Sequence, residues 1–271
     1  EYALGRPDEA AADLEKAIVI DPGLFTAHYN LAIYYGSTCA VPDALERAIG
    51  EAETAVRLQP DNAQAHRLLG SLYQQAGRHE DALASLQAAM SRDSQDPLTY
   101  QLLVSVYNNL GQEAEAAQAS QQAVALHQAA LAGGSADAYD TQLALGDAYV
   151  GASQYEQAVV AYQAAKALKP DAAAPHRGLG NALYWQGQLD QAAAEYQQAA
   201  ALAPQDPGAP LLAGLVQAQR GDLAGAIASQ EAAAKLSSCD PAPHLLLGGL
   251  YFQQDDYALS LIHISEPTRP Y

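Results

Sequence analysis

The sequence predicts an all-α solenoid of stacked antiparallel helix pairs, and three observations carry that prediction. Gly146, Gly180, Gly214 and Gly248 follow one another at intervals of 34 residues. Ala158, Ala192 and Ala226 keep the same interval, as do Ala165, Ala199 and Ala233. Tyr149 and Tyr251 follow two of the glycines at a helical step, and Pro170 and Pro204 close two of the units. A fixed period of this length marks an array whose units cannot bury their apolar faces alone. Small residues let two helices approach to about 8 Å, which is the part read for Gly146, Ala158 and Ala165. Leu145, Tyr149 and Tyr162 then fill the space between units, so that neighbouring pairs must stack.

Taken in order, residues 1–24 read as a partial unit in which Gly5, Ala10, Ala17 and Pro22 fit a second helix. The unit 25–62 keeps Leu31, Ala32, Tyr35, Ala48, Ala55 and Pro60 but runs about four residues long, with the surplus at 36–43 between its helices. The unit 63–96 carries Leu69, Gly70, Tyr73, Gly77, Ala82 and Ala89. In the unit 97–138, Leu103, Tyr107, Gly111, Ala116 and Ala123 hold the register, while Val104 replaces the small residue and predicts a wider helix contact. A surplus of about eight residues after His127 extends the second helix toward Gly133 and Gly134, read as a helix stop. Units 139–172, 173–206 and 207–240 follow, and 241–258 is a partial unit with His244, Leu247, Gly248 and Tyr251. Asp96-Pro97, Asp206-Pro207 and Asp240-Pro241 set an N-cap acceptor before a proline suited to the first helical turn.

From Leu259 on, the repeat breaks where a second helix was due. Residues 259–269 resemble, codon by codon, a translated transposon-library sequencing adapter, and 259–271 are read as a non-native tail. The alternative is a natural irregular tail. With no initiating methionine at Glu1, the chain reads as a reading frame cut at both ends.

Repeated in register, the skeleton Leu145, Gly146, Tyr149, Ala158, Ala165, Pro170 resembles the tetratricopeptide repeat (TPR). That resemblance implies a right-handed superhelix whose first helices line a concave groove that holds a peptide or a partner's helix. The groove residues it points to are Arg67, Asn108, Asp147, Arg177, Asn181, Tyr184 and Trp185. Arg177, Asn181 and Tyr184 recur at helical steps of four and three and share a face. An arginine, an amide and aromatics suit a ligand offering backbone and a carboxylate. For Trp185 the competing reading is that it covers the joint before Gly187. The resemblance also raises the family's carboxylate clamp for chaperone tails. Arg177 and Asn181 match its first pair, but Leu212 stands at the next asparagine and Ala242 and Leu246 at the basic pair, so that ligand is disfavoured.

Composition limits the function classes. Lys+Arg 13 against Asp+Glu 31 gives a formal net charge of −18, and no basic stripe offsets it; nucleic-acid binding is not expected. No apolar run reaches the roughly 18 residues of a membrane span. Cys39 and Cys239, the only two thiols, fall in joints several units apart, too far for a disulfide. His28, His66, His176 and His244 recur at one place in the unit; imidazoles a helix pair apart cannot share a zinc, so packing at the core edge is expected and no metal or other cofactor. No phosphate loop, His-Glu-x-x-His helix or Gly-x-Ser-x-Gly elbow occurs. The sequence therefore reads as a non-enzymatic scaffold for protein partners, with a substrate-recruiting arm of a larger glycosyltransferase or kinase as the alternative.

Overall fold

The computed structural model describes residues 7–254 apart from 39, 40, 42, 136 and 238–240. Among the described residues the chain forms 14 α-helices and no strand. They are α1 (Pro7–Ile20), α2 (Phe25–Ser37), α3 (Ala44–Leu58), α4 (Ala63–Gln75), α5 (His79–Arg92), α6 (Pro97–Asn109) and α7 (Glu113–Ala132), then α8 (Ala138–Gly151), α9 (Tyr155–Leu168), α10 (Ala173–Trp185), α11 (Leu189–Leu202), α12 (Gly208–Gln219), α13 (Leu223–Leu236) and α14 (Pro241–Gln253). Both cysteines, Asp240 and the adapter-like tail lie outside the described residues. The chain divides into two compact units, Glu1–Leu126 and His127–Tyr271, and the division falls inside α7.

In the first unit α1 packs on α2, and α2 pairs with α3 and α4 with α5. Their shared core contains the fully buried Leu31, Leu72, Leu86, Leu103 and Val106, with Tyr34, Tyr35 and Tyr73 at its edge. Each large apolar side chain withdrawn from water contributes about 1.5–3 kcal/mol. Asn62 starts α4 by accepting the Ala65 N–H at 3.1 Å. Asp96 starts α6 by accepting the Leu98 N–H at 3.2 Å, as its place before Pro97 leads one to expect.

α7 runs for 20 residues and ends at Gly133 and Gly134. Gly134 has φ +75°, and the N–H groups of Gly134 and Ser135 turn back to Leu131 and Ala130, both at 3.1 Å. This is the helix stop that the glycine pair signalled.

In the second unit the pairs α8–α9, α10–α11 and α12–α13 stack in order, with α14 against α13. Tyr162 and Tyr196 are the largest fully buried side chains. Each lies over a glycine of its own pair: a Cβ at Gly146 would come 2.5 Å from the Tyr162 ring, and one at Gly180 2.5 Å from the Tyr196 ring. The Tyr162 ring also faces Gly178 on the next pair, so one side chain fills both the intra-pair and the inter-pair contact. The same register, 16 residues after the glycine, holds Leu86 opposite Gly70 and Gln230 opposite Gly214. At the one unit where valine replaces the glycine, Val104, that register holds the fully buried Ser120.

Candidate binding face on the first helices

Asp147 on α8 and Asn181 on α10 each follow the packing glycine, and this places them directly above the buried tyrosines. The Tyr162 hydroxyl donates to Asp147 Oδ1 at 2.6 Å and the Tyr196 hydroxyl to Asn181 Oδ1 at 2.7 Å, both across 15 residues. The core thus holds one oxygen of each of two first-helix polar side chains, the exposed Asp147 and the half-buried Asn181. Asp147 is exposed, yet the protein around its carboxyl desolvates it and raises its pKa; the Tyr162 hydroxyl and Arg177 pull the other way. Burial likewise raises the Tyr162 pKa, helped by the Asp147 charge, and burial raises that of Tyr196, helped by Tyr184.

Arg177 lies between two acids. Its Nη1 donates to Asp206 Oδ2 at 2.7 Å, and its charge is felt at Asp147. Asp206 Oδ1 in turn accepts the Gly208 N–H at 2.9 Å at the start of α12. The arginine therefore staples its own pair to the next one. Arg67 in the first unit repeats the device across the same 29 residues, donating to Asp96, which also accepts from Thr99 at 2.7 Å. The sequence reading placed both arginines on the first helices but missed their acids; the signal was the shared separation of the arginine from an Asp-Pro step, in which Asp96 is the N-cap of α6 whereas Pro207, not Asp206, takes that place in α12.

Tyr184 is half-buried beside Tyr196. Trp185 is 60% exposed, stacked on Tyr155 of α9 with ring centroids 6.3 Å apart and edge-on to Tyr184 at 5.5 Å. It stands where α10 runs into the Gly187 turn and reaches across to the preceding pair. The joint reading of Trp185 therefore describes its contacts, while most of its surface stays open. Asp147, Arg177, Asn181, Tyr184 and Trp185 all belong to the second unit; Arg67 and the exposed Asn108 belong to the first.

The repeating histidines are occupied by protein partners. His176 Nδ1 lies 2.6 Å from Glu195 Oε2, and His28 Nδ1 lies 2.5 Å from Glu51 Oε2. Nε2 of His28 and of His66 meet the carbonyls of Pro22 and Pro60 at 3.0 and 2.8 Å. Each ties a first helix to the proline that ends the preceding helix. Among the described residues no group of three or more His, Cys, Asp or Glu is placed to hold a metal ion. No helix among them is long and apolar enough to cross a membrane.

The stacked pairs, the glycine–aromatic contacts and the proline joints are those of a repeat solenoid, and the chain belongs to the tetratricopeptide repeat family. The family model described as Tetratricopeptide repeat matches residues 43–97 and 177–243, and that described as TPR repeat matches 146–187. No curated protein matches the chain. Among solved structures it is similar to human IFIT1, crystallised as a dimer with m7Gppp-AAAA: TM-score 0.64 at 15% identity, covering 98% of this chain and 65% of that one. It is also similar to a chain of the APC/C hetero-tetramer Cut9–Hcn1, with TM-score 0.60 at 18% identity over 91% of this chain. A tetratricopeptide repeat protein from Parabacteroides merdae ATCC 43184 gives TM-score 0.56 at 16% identity, covering 88% of this chain and 91% of that one. The chain spans 46% of the length of the Cut9–Hcn1 chain. At these identities the likeness is one of fold.

Proposed function

We propose that the protein is a non-catalytic scaffold that holds a partner's peptide or helix along the first-helix face of its second unit, around Asp147, Arg177, Asn181, Tyr184 and Trp185. The observation that carries this reading is the pair of phenol hydroxyls fixing Asp147 and Asn181 from below. Side chains ordered before a ligand arrives lose little entropy on binding it. With the phenols on their Oδ1 atoms, Asp147 keeps a second oxygen that can accept and Asn181 an amide that can donate, the two functions that a peptide backbone presents in alternation. Arg177 already serves Asp206, so a ligand carboxylate would have to compete with an internal one; backbone and apolar side chains suit the face better. Trp185 and Tyr184 supply the aromatic area typical of interface hot spots. Arg67 and Asn108 are the first unit's counterparts in this proposal.

A nucleic-acid ligand is the competing reading, since the fold neighbour human IFIT1 was solved with m7Gppp-AAAA. The net charge of −18 opposes it here. A peptide-array screen with an oligonucleotide arm tests both. We expect peptide binders whose affinity falls about tenfold or more in Arg177→Gln or Trp185→Ala, and no salt-sensitive oligonucleotide binding. Peptide binding untouched by both substitutions removes this face from consideration.

A further inference from the structure

Trp185 is the only tryptophan of the chain, and 60% of it is exposed. Two rings steady the indole and leave most of it open. Tyr155 at the start of α9 lies nearly parallel to it, with 11° between the rings and 6.3 Å between centroids, and Tyr184 stands almost at right angles at 5.5 Å. The residues next to the stacked rings are polar: Glu156 follows Tyr155, and Gln186 follows Trp185. Both line a cleft of about 360 Å³ formed by α9, α10 and α11. The two acids of this cleft are unequally satisfied. Glu195 lies 3.5 Å from Lys166 and 2.6 Å from His176, whereas Glu156 is exposed and has no ion pair among the described residues. Other cations of the same unit are engaged: Arg177 with Asp206 at 2.7 Å, Arg220 with Asp190 at 2.9 Å, and Lys169 at 3.9 Å from the centroid of the Tyr139 ring.

Elsewhere the chain twice combines an aromatic ring and a carboxylate around an arginine of its own. Arg47 lies 4.0 Å from the Tyr35 ring centroid and 2.7 Å from Glu15, and Arg78 lies 4.3 Å from the Tyr73 ring centroid and 2.8 Å from Asp81. At Trp185 and Glu156 the ring and the carboxylate are present, and no cation of the chain stands over the indole among the described residues. We propose that these two residues take an arginine side chain from a partner protein. This deepens the peptide reading above and rests on it for the place of Trp185. Tryptophan is the aromatic side chain that attracts a cation best. A planar guanidinium can lie on the indole and donate sideways to a carboxylate at once, which the compact, strongly hydrated lysine ammonium cannot do. The net charge of −18 favours approach of a basic segment over an acidic one.

The test uses the whole chain and N-acetyl-L-argininamide as the probe, with N-acetyl-L-citrullinamide, its neutral isostere, alongside. Saturation-transfer NMR reads affinity, and indole emission reads place, because the chain has a single tryptophan. The arginine probe should bind about fivefold more tightly than the citrulline one, the combined worth of an exposed cation–π contact and an exposed ion pair, and should change the emission. Trp185 and Glu156 are both exposed, so Trp185→Leu and Glu156→Gln should keep their helix content, and each should cut the preference for arginine to about twofold or less. Equal binding of the two probes overturns the proposal, as does arginine binding that leaves the emission unchanged or a preference that survives either substitution in full. Arg177→Gln removes a cation and should not weaken the arginine probe, so failure of the wider peptide face and failure of this subsite are read separately.

Discussion

Replacing Gly146 by alanine should destabilise the protein, although alanine is the better helix former by about 1 kcal/mol. A Cβ at that position would lie 2.5, 2.6 and 2.8 Å from Cε1, Cδ1 and Cζ of Tyr162. The ring has nowhere to go. It is fully buried, and Gly178 on α10 hems in the same ring atoms, since a Cβ there would come 2.6 Å from Cδ1. Its hydroxyl is held by Asp147 at 2.6 Å. Relief requires either a shift of α8 or a ring movement that breaks this bond. Overpacking of a core costs about 1–3 kcal/mol, and a hydrogen bond to a charged group contributes about 1.5–3 kcal/mol. Set against the propensity gain of about 1 kcal/mol, either route leaves a net loss of about 1 kcal/mol. Gly50 on α3 is the matched control: an added Cβ meets nothing within 4 Å, so Gly50→Ala should gain about 0.5–1 kcal/mol. Urea unfolding followed by helical circular dichroism, with the slope unchanged, reads both. A Gly146→Ala protein as stable as Gly50→Ala would refute the reasoning. Val104 and the buried Ser120 hold the same 16-residue register with large and small exchanged, which suggests a stricter demand. Gly146→Val combined with Tyr162→Ser should lose less than the sum of the single changes, with a coupling of about 1 kcal/mol or more.

Three further outcomes follow from local geometry. Ser153 has φ +57° at the turn where the other units carry Gly77, Gly111, Gly187 and Gly221, so Ser153→Gly should raise stability by about 1 kcal/mol, visible as a higher melting temperature. His176→Phe removes the partner of Glu195 at 2.6 Å from a buried site and should cost about 1–3 kcal/mol in the same assay. Burial, with their glutamate partners, pushes Tyr35 and Tyr73 up to about 12, whereas an unfolded phenol titrates near 10. The folded state then holds protons that the unfolded state loses, so this contribution is intact below about pH 10 and disappears as pH rises toward 12. Melting temperature should fall across that window, less steeply in Tyr73→Phe; equal slopes would contradict the assignment.

The fold was legible because its closest contacts are made by residues whose smallness is itself the signal. Gly146, Ala158 and Ala165 can be read in a line of text, and so can the stop at Gly133 and Gly134. The binding face was legible only as a set of directions. Helical steps put Arg177, Asn181 and Tyr184 on one side of α10, but nothing local says that Arg177 reaches Asp206, or that Tyr196 holds Asn181. Those contacts depend on how neighbouring pairs stack, a non-local matter. The two compact units were not foreseen either. The repeat reads as one array, and the division falls within α7, whose extra length the sequence did register.

What the structure adds is which residues of neighbouring helices act as pairs at fixed separations. Bulk trades across 16 residues, as in Gly146 with Tyr162 and Val104 with Ser120. The phenol-to-acid bond recurs across 20 residues and the arginine-to-aspartate staple across 29, but half of a pair can persist alone: Tyr107 and Tyr149 stand 20 residues after Gln87 and Ala129, and Leu211 stands 29 before Asp240. Leu143, at the register of Arg67 and Arg177, faces Ala172 rather than an aspartate 29 residues on. A helix pair moved to another place in the array carries one half of each inter-pair contact, so its fit depends on whether the new neighbour supplies the other half. Local stability then tracks the pairs. Joints with a complete tyrosine–glutamate rung should be the stiffest, and the joint at Leu183 and Gln163, where both members of the rung are replaced, should open sooner than those of Tyr73 and Tyr251 in hydrogen exchange.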